Sequence, residues 1–214
     1  MVSLSFTFTE ALKIQFKLKK LSAEFYLRSN VCQIAKELLG KVLVFHDSEY
    51  CKMGRIVEVE AYEAFTDQAS HSYNGKRTPR NEHMYLRGGH SYVYICYGVH
   101  HLLNVVTGKK DVPDAVLIRG LEPITIDKHI IKPNLEVSGK GPGKLTRYLG
   151  INKSHSGIPL TGSVLFIADD GFLPASQDMG ISTRIGIEGS GPARDYPYRY
   201  YLKGNLNVSG SPNR

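Results

Sequence analysis

Between Gly54 and Tyr62 the chain reads Gly-Arg-Ile-Val-Glu-Val-Glu-Ala-Tyr, so that Val57, Val59 and Ala61 alternate with Glu58, Glu60 and Tyr62. A period of two marks a β-strand, because successive side chains of an extended chain point to opposite faces. The pattern predicts a strand with one apolar face and, on the other, two carboxylates and a phenol in a row. A carboxylate is expensive to bury unpaired. The spacing therefore leaves two readings open: both glutamates lie on a solvated face, or both are partnered and have a task.

The remaining sequence bounds the choice. A chain of 214 residues with 42% hydrophobic and 22% charged residues suits one globular domain rather than a disordered chain. A net charge of +7 favours a polyanionic partner, and 13 Tyr with 8 Phe and no Trp supply rings for cores and for stacking on bases. The 3 cysteines are far apart, which fits a reducing compartment and speaks against a disulfide framework. The histidines form no ligand pattern, so no metal and no cofactor are expected. No apolar run is long enough to span a bilayer, and residues 1–20 lack the features of a signal peptide. We read them as an N-terminal extension, open to being a strand, a short helix or a disordered arm, ahead of a single domain at 21–214.

Hydrophobic periodicity predicts a helix from Ala23 to Gly40 and strands at Lys41–His46, Gly54–Tyr62, Ala115–Leu121 and Val164–Ile167. Ser91–Tyr97 and His101–Val106, joined at Gly98, read as a β-hairpin. Ser72–Asn81 reads as a basic, turn-rich loop and Lys132–Gly143 as a mobile one. Lys144–Leu149 starts a short helix, and strand-like pieces return around Arg184–Ile187 and Arg199–Leu202. The sum is an α+β fold: a single domain with a mostly antiparallel β-sheet, flanking helices and an exposed hairpin.

An ordered series of motifs runs through these segments. It comprises Gly-Arg-Ile-Val-Glu-Val-Glu-Ala-Tyr at 54–62, Ala-Ser-His-Ser at 69–72 and Lys-Arg-Thr-Pro-Arg-Asn at 76–81. It continues with Tyr-Val-Tyr-Ile-Cys-Tyr-Gly at 92–98, Leu-Asn-Val-Val at 103–106 and Ala-Val-Leu-Ile-Arg-Gly-Leu-Glu-Pro at 115–123. Gly-Pro-Gly-Lys-Leu at 141–145, Ile-Asn-Lys at 151–153 and Arg-Ile-Gly-Ile at 184–187 close it. The series resembles the alkyladenine (3-methyladenine) DNA glycosylase family from about Leu21 to Ser209.

The resemblance implies a curved sheet with a protruding hairpin that enters DNA, and an enzyme that flips a damaged purine out of the duplex and hydrolyses its N-glycosidic bond. By the same resemblance Glu60 is the general base and Glu58 its neighbour without that role. Arg119 helps to hold the catalytic water with Glu60 and the carbonyl of Ile185, or is simply the buried ion-pair partner of Glu60. Tyr62, His71 and Tyr94 form the base pocket, where electron-rich rings favour a cationic N-alkylated purine. Asn104 guards the pocket against the exocyclic amino group of guanine, or is an ordinary hydrogen-bonded residue within a strand. Tyr97, with Val99 beside it, wedges into the gap left by the flipped nucleotide. Lys76, Arg77, Thr78, Arg80 and Lys144 contact phosphates.

The partner expected is damaged double-stranded DNA, met by a monomer that uses no membrane. Its place is the bacterial cytoplasm beside the nucleoid or, in a eukaryote, the nucleus. A non-catalytic nucleic-acid-binding module of the same fold is the main rival. A carbohydrate glycosidase is a second, weakened because two acids on one strand do not flank a bond from two sides.

Overall fold

The alternating strand is the spine of the molecule. In the computed structural model, which describes residues 18–48, 50–127, 130–133 and 138–210, it extends over β3 (Cys51–Tyr62). Before it come β1 (Lys19–Lys20), the helices α1 (Ala23–Tyr26) and α2 (Val31–Leu38), and β2 (Val42–His46). After it follow the hairpin β4 (Ser91–Cys96) and β5 (His100–Thr107), then β6 (Asp114–Asp127), β7 (Ile130–Pro133) and β8 (Gly139–Lys140). The chain continues with α3 (Pro142–Leu149), β9 (Leu165–Asp169), β10 (Met179–Ser182) and β11 (Arg199–Leu202). The described strands form one 11-stranded sheet with the path β1-β9-β2-β3-β6-β5-β4.

Every pairing in that sheet is antiparallel, and β3 makes three of them. Its start pairs with β2, its end with β11 (Arg199 opposite Glu60, Tyr201 opposite Glu58), and its other edge with β6. The main core lies where α2 and α3 cover this spine. Ile34, Leu38, Val57, Val59, Ile118 and Leu145 are fully buried there, each contributing about 1.5–3 kcal/mol by leaving water. Among the described residues no helix is long and apolar enough to cross a membrane.

The ladder between β3 and β6 is irregular at the glutamates. Ile56 faces Leu121, Glu58 faces Gly120 and Val59 faces Ile118, so Val57 and Arg119 are each left without a partner. A bulge of this kind re-aims the extra side chain. Here it carries Arg119 to the face of β3 that bears Glu58 and Glu60. Gly120 beside it has no side chain for a steric reason: a Cβ there would sit 2.7 Å from the Asn207 carbonyl oxygen and 2.9 Å from Glu58 Cβ.

Several expected elements differ in the structure. The helix expected over Ala23–Gly40 is broken in two, because Asn30 adopts an extended conformation and its side chain accepts the Gln33 N–H to cap α2. Gly40 does follow that helix with a left-handed φ of +83°. The strand expected to end at Leu121 runs on to Asp127, since β3 starts at Cys51 and offers partners as far as Ile124, across Pro123. The Lys132–Gly143 stretch, expected as a mobile loop, carries the end of β7, all of β8 and the first turn of α3. Gly139 and Lys140 pair there with Leu121 and Gly120.

Arg184–Ile187 is not a strand; β10 precedes it. The Ile185 N–H is taken by the Glu60 carboxylate instead of a ladder partner, and Gly186 bends the chain at φ +78°. Of the N-terminal extension, Leu18 is buried and Lys19–Lys20 pairs with β9. Residues 1–17, on which the open readings for that extension also bear, lie outside the described residues, as do 134–137 of the expected loop.

Asp114, which opens β6, tests the packing of this end of the sheet. It is buried, Oδ1 accepts the Ala64 N–H at 2.6 Å, and burial pushes its pKa up to about 6 from 3.8. A raised folded-state pKa means that the stability tied to this group is complete below the unfolded pKa and is lost as pH rises through about 6. Asp114→Asn, which keeps an acceptor for Ala64, is expected to stabilise the fold at pH 7.5 by about 1–2 kcal/mol. The gain should fade toward pH 4, as thermal melts of both proteins across that range will show.

Candidate active site

The solvated-face reading of the glutamates is overturned: Glu58 and Glu60 are both 0% exposed. Two buried carboxylates on one strand require cations and donors, and the fold brings them from four distant segments. Glu58 Oε1 accepts from Arg199 Nε at 2.7 Å and from the Ser209 hydroxyl at 2.9 Å, while Oε2 accepts the Ser209 N–H at 2.6 Å. Arg119 Nε lies 3.1 Å from Glu58 Oε1 and 3.5 Å from Glu60 Oε1.

Glu60 has fewer donors. Its Oε1 accepts the Ile185 N–H at 2.8 Å and its Oε2 the Tyr62 hydroxyl at 2.8 Å. Burial raises its pKa above the ordinary carboxylate value, with Arg119, the Ile185 N–H and Tyr62 opposing and Glu58 reinforcing. The Tyr62 phenol is itself held protonated, its pKa raised by burial and by Glu60, so it remains a donor.

The Ile185 N–H is aimed by its neighbour. The Arg184 guanidinium pairs with both oxygens of Asp67, donates to the carbonyls of Ala61 and Ala193 at 2.8 and 3.1 Å, and lies 4.5 Å from the Tyr62 ring centre. Neither side chain of this ion pair is exposed. The irregular segment after β10 is thereby pinned to the end of β3, with its next amide pointing at Glu60.

Above the carboxylate opens a cavity of about 790 Å³, lined by Tyr62, His71, Tyr94, Asn104, Arg119 and Ile185 among others. The His71 ring meets Tyr94 edge-on at 4.6 Å between centres, and Tyr94 stacks on Tyr92 at 5.5 Å. His71 Nδ1 lies 2.9 Å from the Tyr92 hydroxyl. Burial, with Arg80 and Lys76 nearby, pushes the His71 pKa down to about 4, so the imidazole is neutral at pH 7. Asn104 is buried and its amide donates to the Tyr92 carbonyl at 3.2 Å, which orients the side chain.

At the mouth the hairpin turns through Tyr97 (φ +49°) and Gly98 (φ +74°), leaving Tyr97 90% exposed and Val99 69% exposed. A left-handed Tyr is strained, and the hairpin imposes that strain in presenting an aromatic ring to water. The lining also carries Lys140, Lys144, Arg147 and Arg80, with α3 packed on β5 through the Thr146 hydroxyl, which donates to the His101 carbonyl at 2.7 Å. The structure thus gathers Tyr62, His71, Tyr94, Tyr97, Asn104, Ile185, Arg119, Arg80 and Lys144 around one cavity, with Glu60 beneath it.

The rest of the basic loop lies outside that lining. Arg77 is taken up by Glu82 and Asp111. The Thr78 N–H and hydroxyl donate to Asn81, whose amide holds the carbonyls of His71 and Lys76. The loop therefore braces His71. Tyr92, Arg184, Arg199 and Ser209 were missed as site residues. The first two stand inside motifs that the sequence displays, whereas nothing in the sequence sets Arg199 or Ser209 apart.

The family model described as "Methylpurine-DNA glycosylase (MPG)" matches residues 24–206. A relative from Desulfitobacterium hafniense (strain Y51), named "Putative 3-methyladenine DNA glycosylase", is 44% identical over 207 residues, covering 90% of this chain and 99% of its own. Proteins of the same name from Bdellovibrio bacteriovorus and Bacillus licheniformis are 39% and 44% identical. They cover 88% of this chain in each case, and 98% and 96% of their own.

The Asp67–Arg184 pair carries the geometry of this site. Asp67→Ala would leave a guanidinium buried without its counter-charge, and we expect a loss of about 3–5 kcal/mol. Urea unfolding measures that loss, and hydrogen exchange at the Ile185 amide should quicken in the same variant.

Proposed function

This chain belongs to the methylpurine-DNA glycosylase family, and on that footing we propose that it excises damaged purines from double-stranded DNA by hydrolysing the N-glycosidic bond. The substrates are alkylated and deaminated purines: 3-methyladenine, 7-methylguanine, hypoxanthine and ethenoadenine. The observation that carries this reading is Glu60, a fully buried carboxylate whose partners Tyr62, Arg119 and Ile185 all line the aromatic cavity.

The damaged nucleotide leaves the stack and its base enters between Tyr62, His71 and Tyr94. A cationic N-alkylated purine is attracted by the electron-rich faces of the tyrosines, and a neutral His71 adds no repulsion. Asn104, fixed by its bond to Tyr92, stands where the amino group of an intact guanine would press. As the C1′–N bond breaks, its electron pair leaves with the base, so that a cationic alkylpurine departs neutral and a neutral purine departs as its anion and takes a proton from solvent water, while positive charge develops on the sugar. Water attacks C1′ and gives a proton to Glu60, whose carboxylate also offsets the developing charge. Arg119 keeps the carboxylate oriented and helps to hold the water. The products are the free base and an abasic site, with no strand cleavage, because water rather than an amine takes C1′ and no Schiff base forms.

Tyr97 fills the vacated position in the duplex, with Val99 beside it, and offsets part of the unstacking cost. Arg80 and Lys144 contact the phosphates that flank the flipped nucleotide and Lys76 meets the backbone further along, where Thr78 reaches a phosphate only by giving up its bonds to Asn81. Arg77, exposed beside Glu82 and Asp111, meets a phosphate with the guanidinium N–H groups those carboxylates leave over.

Single-turnover release of hypoxanthine, ethenoadenine or a methylated purine from a defined duplex tests the reading. Glu60→Gln should slow release by about 10²–10⁴-fold while lesion-DNA affinity is kept; a variant as fast as wild type would remove Glu60 from the chemistry. Since the base must be deprotonated and its pKa is raised, the rate should fall with decreasing pH along a limb centred above 4.5. Tyr97→Ala should weaken binding to lesion DNA more than to undamaged DNA; equal losses would make Tyr97 a plain surface contact.

A further inference from the structure

We propose that Ser209 is a positioning residue for base excision, its hydroxyl locking the Arg119 guanidinium against the paired glutamates so that the C-terminal segment completes the active site. The inference rests on the function proposed above and reaches past residue 206, where the family match ends.

Ser209 spends every polar atom on this site. Its hydroxyl accepts from Arg119 Nε at 3.0 Å and donates to Glu58 Oε1 at 2.9 Å. Its N–H donates to Glu58 Oε2 at 2.6 Å, and its carbonyl accepts from Arg199 Nη2 at 2.6 Å. A hydroxyl that accepts on one side and donates on the other does what neither carboxylate can: it settles one Nε–H lying between two anions.

The segment is tied down around it. Asn205 donates to Glu122 at 2.9 Å, and Asn207 Oδ1 accepts the Gly139 N–H at 2.9 Å. The missing side chain of Gly120 lets the Asn207 carbonyl approach, and a Cβ at Gly210 would stand 3.0 Å from Ile185 Cδ1. The segment therefore touches both Arg119 and Ile185, two of the three groups that hold Glu60. Ser209 acts on the reaction through them.

Ser209→Ala removes the bridging hydroxyl and keeps the backbone bonds. We expect its single-turnover release rate to fall on the order of tenfold, with lesion-DNA affinity within about twofold of wild type, as loss of one buried hydrogen bond implies. Ser209→Thr, which restores a hydroxyl, should recover most of the rate.

The pH profile separates positioning from simple structural damage. Glu60 is faced by Glu58 and Tyr62 on β3, Arg119 on β6, Tyr94 on β4, Arg199 on β11 and Arg184 beside Ile185. Of these, Arg119 is the one that the Ser209 hydroxyl holds and that Ser209→Ala sets loose, and its attraction lowers the Glu60 pKa. The acid limb should therefore move to higher pH in Ser209→Ala and return in Ser209→Thr. A full rate, or a uniform loss with an unmoved limb, would overturn the proposal.

A second measurement stands apart from catalysis. The Arg119 Nε–H should be an exchange-protected NMR signal in wild type and Ser209→Thr, and lose protection in Ser209→Ala. Protection retained in Ser209→Ala would overturn the lock itself. Absence of base release by the wild type, with protection lost in Ser209→Ala, would instead overturn the proposed activity and leave Ser209 a structural clamp.

Discussion

Two carboxylates buried side by side on one strand are the constraint on which this structure turns. Each must be met by charge or by hydrogen-bond donors, because an unpaired buried carboxylate costs more than a typical domain can spare. The partners come from far along the chain. Arg119 arrives through a bulge in β6, Arg199 through β11, the Ile185 amide through a segment nailed down by Asp67 and Arg184, and Ser209 from the last described turn. Each has to be carried across the sheet to reach β3. The antiparallel order, with β11 and β6 on opposite edges of the same strand, is what makes this possible.

The same requirement divides the work between the glutamates. Glu58 is ringed by two guanidinium groups and a serine, a setting that holds it still. Glu60 has an amide, a phenol and a more distant guanidinium, all on the side of the cavity. Neighbouring carboxylates with unequal surroundings are a general route to unequal roles, and here the inequality follows from a single bulge and a single bend.

Much of this was legible in the sequence wherever the signal was local. The alternation in β3, the hairpin with its Gly98 and the tyrosine-rich strand β4 each announce themselves within a few residues, whereas Glu60, Tyr62, His71, Tyr94 and Tyr97 stand out only through the family resemblance of the motifs that hold them. What was hidden depends on long-range register. Arg199 looks like any arginine in a short strand until β11 is laid against Glu60, and Ser209 has no local mark at all. The helical period over 23–40 runs through Ser29 and Asn30, where side-chain capping outweighs periodicity and the helix breaks. The segment at Arg184–Ile187 was misjudged for a related reason: its amide serves a carboxylate, and such a bond leaves no pattern.

The spacing of these contacts along the chain has a temporal meaning. Glu60 and Ile185 are 125 residues apart and Glu58 and Ser209 are 151 apart, so the carboxylate cluster is held mostly by non-local contacts. Contacts of that kind are slow to form, because loop closure must come first. The hairpin with its exposed tyrosine, by contrast, is local and can form early. A chain that has closed only its local contacts would therefore hold the hairpin without the carboxylate cluster. The cluster around Glu58 and Glu60 is therefore complete only once the distant ends of the described chain have met.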